Sequence, residues 1–271
     1  MRYPAVAGQF YSSTEEALVK EIESCYTSPI GPGRLPELVE GERSIRGLVV
    51  PHAGYIFSGP VAAHAYHALA HDGFPETFVI IGPNHGGRGS PIALTTQAFQ
   101  TPLGEVPVDK ELAGRLTRKG INDDILAHRF EHSVEVQLPF LQHISKDFEF
   151  LPISMMDQEY RPARELGGVL GEAIAGKDVV VIASTDFSHY VTQGVAQAKD
   201  SEVIQKILGL DPQGMNKVRV KNNVSMCGHG PVIAMLTAVQ GKRAELLKYA
   251  TSGDVRPMVE VVGYGALLVR S

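Results

Sequence analysis

The chain has 271 residues, of which 44% are hydrophobic and 20% are charged. This composition excludes a disordered chain, a collagen-like repeat and a coiled coil, and the length suits one large α/β domain or two small ones. The net charge of -5 combines both signs along the chain, which argues against a nucleic-acid-binding surface.

Apolar runs and helix-period segments alternate along the sequence. In chain order we predict a helix at 14–26, a strand at 47–50, a helix at 59–71, a strand at 78–81, helices at 109–119 and 134–144, a strand at 148–153, a helix at 161–175, a strand at 178–183, helices at 195–208 and 231–239, and a strand at 259–269. Continuous β-branched runs are typical of strands covered on both faces. The alternation therefore predicts an α/β sandwich with a largely parallel or mixed sheet.

Targeting and membrane segments are not evident. The longest apolar runs, such as 179–183, have the length of a strand, and the first four residues contain no apolar targeting region. Two cysteines are too few for a disulfide scaffold. We therefore expect a cytoplasmic protein with neither a membrane nor a nucleic acid as partner.

Polar side chains follow three of the predicted strands. His52, His85, and the pair Asp186 and His189 each come shortly after such a strand. Ligands of open α/β sheets bind beyond the carboxyl ends of the strands, so these residues should meet if the strands are parallel neighbours. Independent structural needs would not select imidazole three times, which favours a functional site. Asn84, beside His85, could bind a substrate or shape its own turn.

Two further polar clusters precede predicted helices. Glu131 and His132 begin one of them, and His132 could orient a ligand or cap the helix. Cys227 lies before another helix, and a helix N-terminus lowers a thiol pKa, so we expect a thiolate there. His229 could join the site or belong to a tight turn. Cys25 lies in the apolar stripe of a helix and is expected to be a buried, inert thiol.

The other histidines have a structural explanation. The spacing of His64, His67 and His71 places them on one helix face, and a half-exposed surface is favoured over a metal stripe. His128 and His143 are expected at the surface or at helix ends.

The motifs together resemble the Memo family, the B component of the AmmeMemoRadiSam group. The segments that carry the resemblance are RYPAVAGQFY at 2–11, VPHAGY at 50–55, GPNH at 82–85, EHSVE at 131–135, QLPF at 137–140, STDFSHY at 184–190 and CG at 227–228. They span essentially the whole chain. The resemblance implies a single three-layer α/β/α domain over residues 1–271, similar to class III extradiol dioxygenases, which are non-haem iron enzymes.

The resemblance also implies a metal site. His52, His85 and Cys227 match the metal-binding positions, while Asp186 and His189 line the same pocket. Two histidines and a carboxylate, the ligand set of the related dioxygenases, leave open positions on Fe(II) for catechol and O₂. A thiolate as third ligand makes a softer site that suits iron, copper or zinc, so ring cleavage does not follow from the fold.

Our first hypothesis is a metal-dependent, redox-active enzyme with a dioxygenase-like pocket and an unassigned substrate. Iron is the expected metal, with copper and zinc as alternatives. His189 would act as general acid and base, oriented by Glu131 and His132. Asp186 would support a ligand or bind the metal.

Two other hypotheses remain open. The pocket could bind a phosphopeptide or a small molecule without turnover, with Arg88 and its glycine-rich loop as donors. Cys227 could instead be a nucleophile with His189 or His229 as base. The resemblance also suggests a radical-SAM protein as partner.

Overall fold

The computed structural model describes all 271 residues. The strands are β1 (Ile45–Val50), β2 (Thr77–Pro83), β3 (Ile92–Leu94), β4 (Phe99–Thr101), β5 (Gly104–Val106), β6 (Asn122–Asp123), β7 (Glu149–Met155), β8 (Val179–Ser184), β9 (His189–Val191), β10 (Arg243–Thr251) and β11 (Val261–Arg270). The helices are α1 (Glu15–Thr27), α2 (Tyr55–Asp72), α3 (Lys110–Thr117), α4 (Leu138–Ile144), α5 (Tyr160–Ile174), α6 (Gln193–Leu208), α7 (Pro212–Lys221), α8 (His229–Val239) and α9 (Ser252–Val255). None of these helices combines the length and apolar character needed to cross a membrane.

One mixed sheet organises the molecule. Its strand order is β10-β11-β1-β8-β2-β7-β3-β6, and β9 pairs with β11 outside this path. The central strands β1, β8, β2 and β7 are parallel. Antiparallel pairing begins at β11 on one side and at β3 on the other. The predicted mixed, largely parallel sheet is thus confirmed, whereas the extent of the domain over residues 1–271 stays a prediction.

Helices flank this sheet. α2 packs against β1, β10 and β11 and carries α1 beside it, while α8 packs against β1, β2 and β8 and carries α5. Every residue of β2 and β8 is buried, as expected for parallel strands covered on both faces. Because these apolar strands run in one direction, their carboxyl ends share one edge of the sheet.

Several elements of the structure were not predicted, namely the short strands β3–β6 and β9, the edge strand β10, and the helices α7 and α9. β10 was not expected, because an edge strand that is mostly half-exposed shows no continuous apolar run. α7 buries only Met215 and therefore carries a weak helical pattern. The predicted helix at 134–144 is a 3-10 turn at Glu135–Gln137 followed by α4, with Pro139 in the first turn of α4.

Candidate metal centre

The strand order brings three polar loops to one edge of the sheet. β8 lies between β1 and β2 and is parallel to both. His52, Asp186 and His85 each come two residues after the last residue of β1, β8 and β2, respectively. His189 follows Asp186 as the first residue of β9. The four residues named from the strand ends therefore lie in neighbouring loops.

Three imidazoles face one another in this region. One ring nitrogen from each of His52, His85 and His132 lies within 4.8 Å of the other two. The rings of His85 and His132 stack with centroids 4.7 Å apart, and the ring of His52 stands nearly perpendicular to both. His52 is buried and His85 is exposed, so the cluster opens to solvent on one side. Such a group could hold a transition metal.

Hydrogen bonding fixes the tautomer of His52. The hydroxyl of Ser184 donates to the carbonyl oxygen of Ser133 at 2.7 Å. Gln137 donates through Nε2 to the Ser184 Oγ at 2.9 Å and to the Pro51 carbonyl oxygen. The only hydrogen of Ser184 is thus committed, and its Oγ accepts from Nδ1 of His52 at 2.9 Å. The Nε2 lone pair of His52 is therefore available to a metal ion.

Glu131 orients His85 through Nδ1, as Ser184 orients His52. Its carboxylate accepts a hydrogen bond from Nδ1 of His85 at 2.9 Å and from the His85 backbone amide at 2.6 Å. Burial acts to raise the pKa of Glu131, but the bond from His85 and the nearby positive charge hold it at about 2. Burial lowers the pKa of His85, yet the bond and charge of Glu131 raise it overall. The prediction that Glu131 orients His189 is wrong, since Glu131 bonds His85 and Nδ1 of His189 bonds the carbonyl oxygen of Ser225, while orientation of His189 by His132 stays a prediction.

Cys227 contacts this cluster through His52. Its Sγ lies 3.2 Å from Nε2 of His52 and accepts the backbone N–H of Asp186 at 3.2 Å. The sulfur does not belong to the group of three mutually close nitrogens. Nitrogen and sulfur ligands at roughly 2.0 and 2.3 Å from one ion stand about 3.0–3.5 Å apart for angles between 90° and 110°. The spacing between Cys227 and His52 therefore fits two ligands of one metal.

The protonation state of Cys227 differs from the prediction. Burial, and then the negative charge of Asp186, raise the pKa of the thiol above its usual range. The start of α8, two residues further on, does not offset this burial. A thiolate in the metal-free protein is thus a wrong expectation. A bound cation would reverse the balance, because coordination deprotonates a thiol.

Asp186 and His189 lie around the same loops. Asp186 accepts the backbone N–H of His52 at 2.9 Å, and burial raises its pKa to about 6. Nδ1 of His189 donates to the carbonyl oxygen of Ser225 at 2.8 Å, and the His189 amide donates to the Ser225 hydroxyl at 2.7 Å. In the neutral ring this leaves Nε2 of His189 free to accept a proton.

Two residues predicted to line the pocket form hydrogen bonds within their own turns instead. Asn84 donates to the carbonyl oxygen of Arg88 at 2.8 Å and accepts the N–H of Gly87 at 3.0 Å, which shapes the loop after β2. His229 bonds through Nδ1 to the carbonyl oxygen of Met226 at 3.1 Å, and burial lowers its pKa to about 4. Neither side chain belongs to the imidazole cluster.

The remaining histidines and Cys25 have structural environments. His128 was expected at the surface or at a helix end, and it does cap a 3-10 turn, but it is buried and its Nε2 bonds the carbonyl oxygen of Ala93 at 3.1 Å. It follows the 3-10 turn at Ile125–Ala127, and its side chain lies in the interior of the protein rather than at the surface. Cys25 is a free thiol buried in the core, as predicted. Three residues lie partly or fully exposed along α2: His64, His67 and His71.

A wide groove lies elsewhere in the molecule. It measures about 1540 Å³ and is lined by Thr77, Glu149 and Val179, at the amino ends of β2, β7 and β8. The imidazole cluster occupies the opposite edge of the sheet. Cavity size therefore does not mark the candidate site, and the chemistry of its side chains does.

Sequence reasoning missed Ser184 and Gln137. Both are buried polar residues next to apolar neighbours, Ser184 at the end of β8 and Gln137 between Val136 and Leu138. A polar side chain inside an apolar run is the signal that could have marked them.

Comparisons with known proteins agree with the motifs. A family model described as "Memo-like protein" matches residues 2–268. A MEMO1 family protein of Methanopyrus kandleri is 51% identical over 279 residues, which cover 99% of each chain. A MEMO1 family protein of Methanothermobacter thermautotrophicus is 47% identical over 276 residues, covering 98% of this chain and 99% of the relative. The crystal structure of an uncharacterized protein of Escherichia coli K12 is similar in fold, with a TM-score of 0.52 and 13% identity over 83% of this chain and 99% of that one.

Proposed function

Since the chain belongs to the Memo-like protein family, we propose that it binds one transition metal through His52, His85 and Cys227. The observation that carries this proposal is the position of Nε2 of His52. This nitrogen is unprotonated and lies 3.2 Å from the Cys227 sulfur, and the ring of His52 belongs to the close group of three imidazoles. Nδ1 of both His52 and His85 is held by a buried partner, which is how proteins orient metal-binding histidines.

The donor set supports iron, with copper or zinc as alternatives. Two imidazoles and one thiolate suit each of these metals. We favour iron because two histidines with one anionic ligand leave open positions for an external ligand, and His85 lies on the solvent side. The free thiols of Cys25 and Cys227 fit a cytoplasmic protein.

In this proposal His132 forms a hydrogen bond to the bound small molecule and does not coordinate the metal. Burial lowers its pKa to about 4, so the ring is neutral at pH 7 and can donate or accept a hydrogen bond. The ring of Phe10, 4.7 Å away, and the stacked ring of His85 hold it in place.

We further propose that the protein is a redox enzyme acting on a small molecule. The metal, when bound, supplies Lewis acidity and one-electron chemistry. His189 accepts a proton at Nε2 from a ligand hydroxyl and returns it, because its Nδ1 is already committed to Ser225. Asp186 accepts a hydrogen bond from the backbone N–H of His52 and so holds the loop that carries this proposed metal ligand.

Metal binding under anaerobic conditions tests the ligand set. The wild type should bind one equivalent of Co²⁺ or Fe²⁺, and the Co²⁺ form should show a sulfur-to-metal charge-transfer band. Cys227→Ser should lose this band and bind more weakly by about 10–100-fold. The matched control is His229→Ala, since this histidine is half-buried at the start of α8 but lies outside the cluster.

Each outcome separates the hypotheses. A loss of binding in His132→Ala but not in Cys227→Ser would replace the thiolate by a third imidazole. Metal binding without consumption of oxygen in the presence of catechols would favour a binding protein over a dioxygenase-like enzyme. A wild type that binds no metal would refute the proposal.

A further inference from the structure

An arginine lies buried under the loop that carries two of the site residues. Arg2 is 3% exposed. Its Nε donates to the carbonyl oxygen of His128 at 3.1 Å, one Nη donates to the carbonyl oxygen of Glu131, and the other pairs with the carboxylate of Glu135. All three acceptors belong to residues 128–135. The guanidinium group therefore connects the beginning of the chain to one short loop.

Glu135 completes this connection. It is fully buried, and its carboxylate accepts the backbone N–H groups of Ala5 and Val6 and the hydroxyl of Tyr11. The segment 2–11 is thus fastened to the loop by charged hydrogen bonds at both ends. A buried ion pair gives little net stability compared with apolar side chains of the same volume, because desolvation is costly. Stability alone does not explain why this pair lies here.

The loop at residues 128–135 sets the positions of His85 and His132. Arg2 bonds the backbone carbonyl of Glu131, whose side chain orients His85, and His132 is the next residue. At the other end of the segment, Phe10 packs against His132, and its carbonyl oxygen accepts the N–H of Tyr55 at the start of α2. The segment 2–11 therefore contacts the loop that carries His132 and, at Tyr55, the end of the loop that carries His52, and it reaches His85 through Glu131.

We infer that Arg2 is a positioning residue of the metal site, which fixes Glu131 and His132 through the backbone of residues 128–135. The inference rests on the proposed metal-binding function. Removing an outer partner of this kind lowers metal affinity by about 10–100-fold while the ligands themselves stay in the chain.

The test compares Arg2→Met with Arg270→Met. Arg270 also pairs with a buried carboxylate, that of Asp72, but at the opposite edge of the sheet. Arg2→Met should weaken Co²⁺ binding by about 10-fold or more and alter the d–d spectrum, whereas Arg270→Met should stay within about 3-fold of the wild type. In the metal-free protein, Arg2→Met should shift the ring NMR signals of His132 and His85.

The outcomes distinguish this inference from the proposed function. If Arg2→Met does not fold, Arg2→Lys takes its place, because it keeps the charge beside Glu135 but lacks the guanidinium fork that bonds all three acceptors. A folded variant with wild-type affinity and spectrum would overturn the inference alone. If the wild type binds no metal, the proposed function fails. The ring signals of the metal-free variant then decide, and unchanged signals would overturn the positioning role as well.

Discussion

Buried His128 should make the protein lose stability as the pH falls below neutrality. The side chain is 1% exposed, and its Nε2 bonds the carbonyl oxygen of Ala93. Burial, reinforced by the charge of Arg2, lowers its pKa from 6.5 to about 4, although the bond to Ala93 acts in the opposite direction. The ring is therefore neutral in the folded protein at pH 5, when it is protonated in the unfolded chain.

The sign and size follow from proton linkage. A pKa that is lower in the folded state means that the unfolded chain binds more protons between pH 6.5 and 4. The contribution of His128 to stability is complete above the unfolded pKa and is lost as the pH falls toward the folded pKa. One pKa unit corresponds to about 1.4 kcal/mol, so this one group removes about 2 kcal/mol of unfolding free energy between pH 7 and pH 5.

Urea unfolding of the wild type and of His128→Gln at both pH values measures this effect. Glutamine can still donate a hydrogen bond to Ala93 but does not titrate. The wild type should lose about 2 kcal/mol more than the variant, while the other buried histidines contribute equally to both and cancel. Equal losses in the two proteins would refute the assigned protonation state.

Three further predictions concern the site, and a fourth concerns a control position in α5. Gly228→Ala should lower the unfolding free energy by about 1–3 kcal/mol, because its Cβ would lie 2.3 Å from a backbone oxygen. Gly168→Ala lies inside α5, where an added Cβ would have no atom within 4 Å, and should raise the unfolding free energy by about 0.5–1 kcal/mol. Melting temperatures that shift in the same direction for both glycine variants would contradict this reasoning. Glu131→Gln should lower the pKa of His85, and an unchanged NMR titration of that ring would count against the pairing. Metal binding to Cys227→Ser should release about one proton fewer than binding to the wild type, as measured by calorimetry in two buffers, and an equal count would show that the thiol is not a ligand.

The central strands and their polar ends were predictable because local patterns encode them. β2 and β8 are continuous apolar runs, and the polar residues after them stand where parallel strands place ligands. His52 and His85 could be named for this reason alone. β10 could not, since an edge strand that is mostly half-exposed has no continuous apolar run.

Properties that depend on distant residues could not be predicted. The start of a helix suggested a thiolate at Cys227, but burial by long-range packing outweighs that local effect. The tautomer of His52 depends on Ser184, which lies 132 positions further along the chain. Arg2 and Glu135 are 133 positions apart in the sequence, and the sequence around neither residue indicates that the two form an ion pair.

The position of β11 has a consequence for synthesis on the ribosome. β11 follows every other strand in the chain, yet it lies between β10 and β1 and also pairs with β9. Until residues 261–270 emerge, β1 keeps one side of its backbone unpaired, and an open strand edge can pair with another nascent chain. β1, which precedes the loop of His52, is thus paired on both sides only after translation of residues 261–270. On the proposed function, the metal would therefore be loaded after the strand that completes this part of the sheet has been made.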